Sequence, residues 1–296
     1  KFEPKHASTK KISENIWQVS SLNGLLEEIH QISEYSKKTG TVVLYRGHKD
    51  EKWLIDSTFV RSFKRTLFDI SPEEPLNPKI TNSKELHLSI LNLFLMKFGV
   101  LCKPSAALEA KAAELNLDSW FEFLKRIQQY PEEDGFFLKG TNIIDWSESS
   151  DVALFFANNE QVNDAALFVC DATATGNTHQ KIQFGEVLEL MDKRGNSNSA
   201  LGIPLMINPP RQIANQRSDN QEAVYFSQMD MRFDLETTWK DYQFDNGGDQ
   251  IILKIILPSI LAQEINRYLH GKGIDEDFIY PDSATKKAKG DGGILN

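Results

Sequence analysis

The spacing of apolar residues predicts separate stretches of helix and strand along the chain. A short strand is expected at 16–19, and apolar residues then recur every three or four positions from Leu22 to Ile32, as in an amphipathic helix that Gly40 would end. The β-branched and apolar run 41–46 predicts a buried strand. By the same criteria, helices are predicted at 83–98, 118–129, 151–157 and 260–270, and strands at 166–169, 187–190, 223–226 and 251–256. Helices therefore dominate the first half and strands the second, which is typical of an α+β domain.

Both ends of the chain differ in composition from the part between them. Residues 1–15 are polar and lysine-rich and predict a flexible segment, and residues 284–296 are rich in lysine and glycine and predict a tail. No internal repeat or domain boundary is visible between them. The sequence thus predicts a single domain at 16–283, with a helical first half packed on a mixed or antiparallel sheet.

Composition and charge narrow the classes of function. Hydrophobic residues make up 40% of the chain, which is enough for a core, and the net charge of −9 argues against broad electrostatic capture of nucleic acid or of an anionic membrane. No apolar run approaches the roughly 20 residues of a membrane span. We expect a cytoplasmic protein that does not contact a membrane.

Cysteine, histidine and the basic residues give few signs of a metal or nucleic-acid site. Cys102 and Cys170 are too few for a disulfide framework, and the histidines lack the spacing of zinc ligands, so no metal is expected. The basic cluster Arg61, Lys64 and Arg65 is either a local anion site or the solvated face of a helix, and the second interpretation is favoured.

Several motifs follow one another in a characteristic order. They are the segment 44–47 (Leu-Tyr-Arg-Gly) with Trp53 and Arg61 after it; 128–130 (Gln-Gln-Tyr); 140–147 (Gly-Thr-Asn-Ile-Ile-Asp-Trp-Ser) with 152–157 (Val-Ala-Leu-Phe-Phe-Ala); 215–217 (Asn-Gln-Arg) with Gln221 and 223–226; and 252–257 with the late helix and 280–282 (Tyr-Pro-Asp). Together they resemble the FRG family, which is named for a Tyr-Arg-Gly-type strand motif, over residues 16–283. FRG proteins commonly have Gln-His where this chain has Gln128 and Gln129, and an amide cannot act as a general acid or base.

The order of the FRG motifs is also similar, more distantly, to that of ADP-ribosyltransferases of the Arg–Ser–Glu type. That resemblance implies a split sheet, NAD as a substrate, and a set of site residues. It implies catalytic positions at Glu222, Gln221 and Gln129, and binding positions at Arg46, Gly47, Thr141, Asn142, Asp145 and Arg217. In this arrangement Arg46 would grip a phosphate, the stretch around Thr141 would shape the nicotinamide pocket, and Glu222 or Gln221 would stabilise the ribosyl cation.

The residues themselves allow a second interpretation at most of these positions. A guanidinium fork suits a pyrophosphate, but Arg46 could instead pair with a neighbouring acid. Asp145 could pair with Arg46 or Arg217, or it could be a carboxylate with a shifted pKa. Glu222 could stabilise a cation or simply be solvated, and side-chain alternation would point only one of Gln221 and Glu222 into a pocket.

The sequence also predicts whether Trp146 and His48 are buried or exposed. Trp146 is expected in the core. His48, just past a strand, is expected at the surface, with a catalytic part as the alternative.

Two classes of function follow. The first, which the resemblance implies, is an NAD-dependent, ADP-ribosyltransferase-like toxin or phage-defence effector, with a protein or nucleic-acid acceptor and an antitoxin or defence-system partner. The second is a non-catalytic module that binds a nucleotide-type small molecule or a partner. A nuclease ranks last, because it would need a carboxylate cluster or a histidine pair for a metal, and neither occurs at short spacing.

Overall fold

The structure, a computed structural model, describes residues 2–77, 84–101, 124–125, 127–128, 134–175, 205–207, 216–228, 230–245, 248 and 250–281. The strands in these ranges are β1 (Thr9–Ser13), β2 (Ile16–Val19), β3 (Val43–His48), β4 (Ile143–Ser147), β5 (Ala165–Asp171), β6 (Leu205–Ile207), β7 (Ala223–Ser227) and β8 (Ile252–Leu257). The helices are α1 (Leu22–Thr39), α2 (Thr58–Phe68), α3 (Lys84–Leu101), α4 (Ser150–Asn158), α5 (Gln216–Asn220), α6 (Leu235–Asp245), α7 (Ala262–Gly271) and α8 (Glu276–Ile279).

The described strands form one eight-stranded mixed sheet in the order β1-β2-β8-β5-β3-β4-β7-β6. Only β2 and β8 run parallel, and every other neighbouring pair is antiparallel. The predicted α+β class with a mixed sheet is therefore confirmed. Helices do dominate the described part of the first half, but the predicted strand-rich second half is wrong, because α4 to α8 contain more of its described residues than β5 to β8 do.

The central strand β5 shows how the sheet separates two apolar layers. Successive side chains of a strand point to opposite faces. Leu167 and Val169 pack with α1, α4 and α7 on one face, whereas Phe168 and Cys170 pack with Trp239 of α6 on the other. Both faces of β5 are therefore covered, which is why its sequence is apolar throughout rather than alternating.

Helix α1 has the boundaries that its sequence predicts. The Ser21 hydroxyl accepts a hydrogen bond from the Gly24 N–H at 3.1 Å, which satisfies one of the unpaired donors of the first turn. Gly40 ends the helix in the left-handed region, with φ of 71°. Ser149 caps α4 in the same way through the Val152 N–H. Where the capping residues are present, the boundaries follow from local chemistry.

The N-terminal segment is not the flexible stretch that its composition suggests. Strand β1 pairs with β2, and Phe2 is buried against Tyr35 with the ring centroids 5.3 Å apart. The buried carboxylate of Glu28 accepts hydrogen bonds from the backbone N–H groups of Lys5 and His6. The expectation for residues 2–15 was therefore wrong, because β1 is an edge strand with mostly exposed side chains, and lysines are common on such edges.

Some sequence predictions fall where the structure gives no description. The predicted strand 187–190, most of the predicted helix 118–129 and the predicted tail 284–296 lie outside the described residues. Helices α2 and α6, by contrast, were not predicted. Within the described ranges, no helix combines the length and the apolar character needed to cross a membrane.

A buried ion pair holds α3 against the segment that leads into β4. Lys97 of α3 is fully buried, and its Nζ lies 2.6 Å from the carboxylate of Asp134 and also donates to the carbonyl groups of Leu138 and Gly140. Each donor of this lysine therefore has a partner in the segment that leads into β4. A buried lysine needs such partners, because an unpaired charge is costly away from water.

The basic cluster of α2 is only partly the solvated face that we favoured. Lys64 is 2% exposed and pairs with Asp56 at 2.9 Å. Arg61 lines a cavity that is described below, and only Arg65 is exposed. The favoured interpretation of the cluster is therefore correct for one of its three residues.

Candidate ligand-binding cavity

The sheet is nearly divided between β3 and β4. Along its other edge, β3 pairs with β5 over its whole length, from Val43 opposite Asp171 to His48 opposite Ala166. Towards β4, it makes the single pair of Tyr45 with Ser147. A cavity of about 490 Å³ lies at this divergence, and its volume is within the rough range of 300–1,000 Å³ for small-molecule sites.

The cavity is positively charged in a chain that is acidic overall. Its described lining includes the cations Arg46, Lys49, Arg61 and Arg217, and the carboxylates Asp145 and Glu160. Aromatic rings of Trp53, Phe156 and Tyr280 complete much of the wall. This combination of guanidinium groups and planar apolar surfaces favours an anionic ligand that also carries a ring.

Arg46 of β3 extends across the gap towards β4. Its Nε donates to Nε2 of His48 at 2.9 Å, and its Nη1 donates to the backbone carbonyl of Asp145. Its Nη2 makes no hydrogen bond within the described part of the chain. Burial lowers the pKa of Arg46 to about 10, and the nearby charge of Arg61 acts in the same direction. The guanidinium is still protonated at neutral pH, so it presents a charged N–H group at the cavity.

His48 is a buried member of β3 rather than a surface residue beyond it. It is 3% exposed, because β3 continues through Gly47 to His48. Its Nδ1 lies 3.3 Å from the Trp53 carbonyl and its ring packs edge-on against Phe168. Burial holds the pKa of His48 well below its usual value, and the charges of Arg46 and Arg61 lower it further. The ring is therefore neutral, and Nδ1 donates while Nε2 accepts.

The amide of Gln128 holds Asp145 from the other side of the gap, and the Thr141 hydroxyl orients that amide. Its Oδ2 accepts from Nε2 of Gln128 at 2.5 Å, and Oε1 of Gln128 accepts from the Thr141 hydroxyl at 3.1 Å. The carboxylate is open to the cavity, yet protein surrounds the cavity on most sides. This burial raises the pKa of Asp145, while the charge of Arg46 opposes the shift. The side chain thus points into the cavity in a fixed orientation.

Arg217 and the C-terminal segment form the opposite wall. The guanidinium carbon of Arg217 lies 4.7 Å from the centre of the Tyr280 ring, which is a cation–π arrangement. Two amides of this region bind the C-terminal backbone: Asn220 donates to the carbonyl of Phe278 at 2.6 Å, and Gln221 donates to that of Ile279 at 3.2 Å. The residues around α5 are therefore anchored to a segment about sixty residues later in the chain.

No protein-family model matches this chain. No curated protein and no solved structure matches it either. The FRG resemblance and the activity that it implies therefore stay predictions, and the functional argument rests on the geometry of the cavity.

Five of the residues predicted for the site line this one cavity. They are Arg46, Gly47, Asp145, Arg217 and Gln221. Gly47 has a visible structural reason, because a side chain there would collide with the backbone of α4. Of the two interpretations of Asp145, the carboxylate with a shifted pKa agrees with the structure, whereas the contact with Arg46 is made by the backbone carbonyl and not by the carboxylate.

Three other predicted residues lie elsewhere, and a fourth is not described. Thr141 and Asn142 are buried behind the cavity wall, where Thr141 orients Gln128 and the amide of Asn142 donates to the Ser227 hydroxyl at 2.8 Å. Glu222 is exposed and outside the described lining, and its φ of 43° marks the turn before β7. Gln129 lies outside the described residues.

Sequence reasoning missed the importance of Arg61, Gln128 and Tyr280 in the cavity. Each of them stands in a segment that carries the FRG resemblance, but Gln128 and Tyr280 were not singled out, and Arg61 was considered only within a possible anion site that was not favoured. A signal for Arg61 was present, because it lies on α2 between the buried Val60 and Phe63, close to an apolar face.

Within the described residues, no group of three or more His, Cys, Asp or Glu side chains could hold a metal ion.

Proposed function

We propose that the cavity binds a phosphorylated ligand of the nucleotide class. The observation that carries this proposal is that Arg46, Arg61 and Arg217, from β3, α2 and α5, line one cavity in a protein with a net charge of −9. Guanidinium groups form strong charge-assisted hydrogen bonds with phosphate oxygens. A phosphate or diphosphate group would also relieve the repulsion that Arg61 exerts on Arg46, which adds to burial in lowering the pKa of Arg46.

The aromatic side chains support a nucleotide over a simple inorganic anion. Trp53, Phe156 and Tyr280 offer flat apolar surfaces within the same cavity as the arginines. A ligand with both a phosphate and a planar ring would use both kinds of surface. NAD and ADP-ribose are such ligands, and they are also the ones that the resemblance to ADP-ribosyltransferases implies.

Calorimetric titration with NAD and with ADP-ribose tests the binding. Arg61→Ala and Arg217→Ala should each weaken binding by about 10-fold to 100-fold, because each variant loses one charge-assisted contact of about 1.5–3 kcal/mol. Arg65→Ala is the matched control, since Arg65 stands one turn later on α2 and is exposed. Absence of binding by folded wild-type protein, or equal affinity in all variants, would contradict the proposal.

A second candidate function is cleavage of NAD with transfer of its ADP-ribose. The observation that favours it is the fixed carboxylate of Asp145 beside the arginines. In this reaction the bond between C1′ of the ribose and the nicotinamide nitrogen breaks, and its electron pair leaves with nicotinamide. Water or a hydroxyl or amine acceptor then bonds to C1′ and loses a proton. Asp145, rather than the outward-facing Glu222, would stabilise the cation that develops on the ribose.

Release of free nicotinamide separates the two functions. If transfer occurs, Asp145→Asn should reduce nicotinamide release by more than about 100-fold while ADP-ribose still binds, and Glu222→Gln should have little effect. Binding without nicotinamide release would support the non-catalytic module instead. Growth arrest of cells that express wild-type protein, but not the Asp145→Asn variant, would support the proposed role as a toxin or defence effector.

A further inference from the structure

The side chains of Arg46 and His48 form a hydrogen bond that the pairing of strands does not require. We infer that His48 is the positioning residue of the cavity, and that it holds the Arg46 guanidinium in the orientation that presents Nη2 to a ligand. His48 lies two residues along the same strand and accepts from Nε of Arg46 at 2.9 Å. The ligand part of this inference rests on the proposed function, whereas the contact itself does not.

The imidazole ring of His48 is fixed before any ligand arrives. Its Nδ1 is within 3.3 Å of the Trp53 carbonyl, and its ring centroid is 5.0 Å from that of Phe168. Phe168 belongs to the fully buried face of β5, and His48 itself is 3% exposed. The ring is therefore held by contacts at both nitrogens and with Phe168, and its Nε2 lone pair points at Arg46.

Burial lowers the pKa of His48 and keeps the ring neutral, and the charges around the ring act in the same direction. Arg46 on β3, Arg61 on α2 and Lys254 on β8 face His48, and all three disfavour its protonation. Only the neutral ring has an acceptor nitrogen for the Arg46 N–H. A protonated ring would lose that acceptor and place another cation beside the two arginines. A histidine in this position therefore serves as a fixed acceptor rather than as an acid or base.

Positioning matters because arginine has a long and flexible side chain. Immobilising such a side chain when a ligand binds opposes binding. His48 and the carbonyl of Asp145 restrain Arg46 beforehand through Nε and Nη1. Loss of the His48 restraint should therefore weaken the binding of a phosphorylated ligand by about 3-fold to 10-fold.

Nuclear magnetic resonance of the ligand-free protein tests the contact directly. In protein labelled with ¹⁵N at histidine and arginine, we expect a scalar coupling across the hydrogen bond from Nε of Arg46 to Nε2 of His48. We also expect the ring shifts of the neutral form with the proton on Nδ1, unchanged as the pH falls to about 6, below the ordinary histidine pKa of about 6.5. Absence of the coupling, or a charged ring at pH 6, would overturn the inference whether or not a ligand binds.

Two variants of His48 test its effect on binding, with ADP-ribose as the probe. The amide oxygen of His48→Gln can accept from Nε of Arg46, whereas His48→Phe cannot. We expect the affinity for ADP-ribose to fall by about 3-fold to 10-fold in His48→Phe and to be largely restored in His48→Gln. Thermal unfolding of each variant checks that it is folded, and His270→Gln, at an exposed histidine, is the matched control.

A double-mutant cycle with Arg46→Ala shows whether His48 acts through Arg46. The inference predicts that His48→Phe causes no further loss of affinity once Arg46 is replaced. An equal loss in both backgrounds would overturn it. If the coupling is present but wild-type protein does not bind ADP-ribose or NAD, the proposed function fails while the hold of His48 on Arg46 stands.

Discussion

A methyl group added at Gly47 should force α4 away from β3. In a Gly47→Ala variant, the new Cβ would lie 1.9 Å from the carbonyl oxygen of Ala153 and 2.4 Å from the backbone nitrogen of Ala157. Both atoms belong to the backbone of α4, so neither can rotate away. The helix would have to move by about 1.5 Å to bring the carbonyl oxygen from 1.9 Å to the 3.4 Å at which ordinary contacts begin.

The cost of this movement should fall near the top of the range for overpacked sites. Ala153 and Ala157 are both buried in the layer between α4 and the sheet, so a shift of the helix disturbs well-packed neighbours. Overpacking typically costs about 1–3 kcal/mol. We therefore expect the free energy of unfolding of Gly47→Ala to fall by about 3 kcal/mol, from a typical total of about 5–15 kcal/mol.

Equilibrium unfolding in urea measures this change, which should appear as a lower midpoint with an unchanged slope. Gly271→Ala is the matched control, because a Cβ there meets no atom within 4 Å and the residue ends α7. Its midpoint should stay the same or rise slightly, since alanine restricts the unfolded chain. A Gly47→Ala midpoint equal to that of the wild type would refute the close packing of α4 on β3.

Three further predictions concern other buried groups, each measured by urea unfolding. Lys97→Met leaves the buried carboxylate of Asp134 without its cation and should cost about 3–5 kcal/mol, and a cost below about 1 kcal/mol would contradict the buried pair. Burial, together with the charge of Asp56, raises the pKa of Asp234 to about 6, above its ordinary value near 3.9, so the native state favours the protonated form. The stability of the wild type relative to Asp234→Asn should therefore fall by up to about 3 kcal/mol as the pH rises from about 4 to about 7, and a flat difference would contradict this. Deletion of residues 1–8 removes two N–H donors from the buried carboxylate of Glu28 and should cost at least about 1–3 kcal/mol, whereas a flexible segment would cost nothing.

Sequence patterns predicted those elements whose signals are local. Helix α1 has a serine cap, an apolar stripe and a terminal glycine in one continuous stretch, and its boundaries agree with the structure. Helix α2 was missed because Arg61 and Lys64 interrupt the apolar pattern. The partner that allows Lys64 to be buried, Asp56, lies outside the helix, so no helical periodicity could indicate it.

The candidate site likewise depends in part on contacts between distant segments, which no local sequence pattern indicates. Arg46 and Asp145 follow strand patterns, and the resemblance to known motifs drew attention to both. Gln221 lines the cavity and Glu222 does not, so the expectation that only one of the two points into a pocket agrees with the structure, and a positive φ at Glu222 turns the chain just before β7. Tyr280 reaches the cavity only because α8 folds back onto α5. Such a contact depends on the whole fold and has no local signature.

The hydrogen bond from Arg46 to His48 also sets the direction from which an anion can reach this guanidinium. The Nε nitrogen carries a single hydrogen, and His48 accepts it. The side-on face of the guanidinium, formed by Nε and Nη2, is therefore closed to the paired oxygens of a phosphate or carboxylate. If an anion binds here as proposed, its paired oxygens would have to meet the guanidinium end-on, along the axis of the arginine side chain. The angle of approach, as well as the charge of the ligand, would then affect binding.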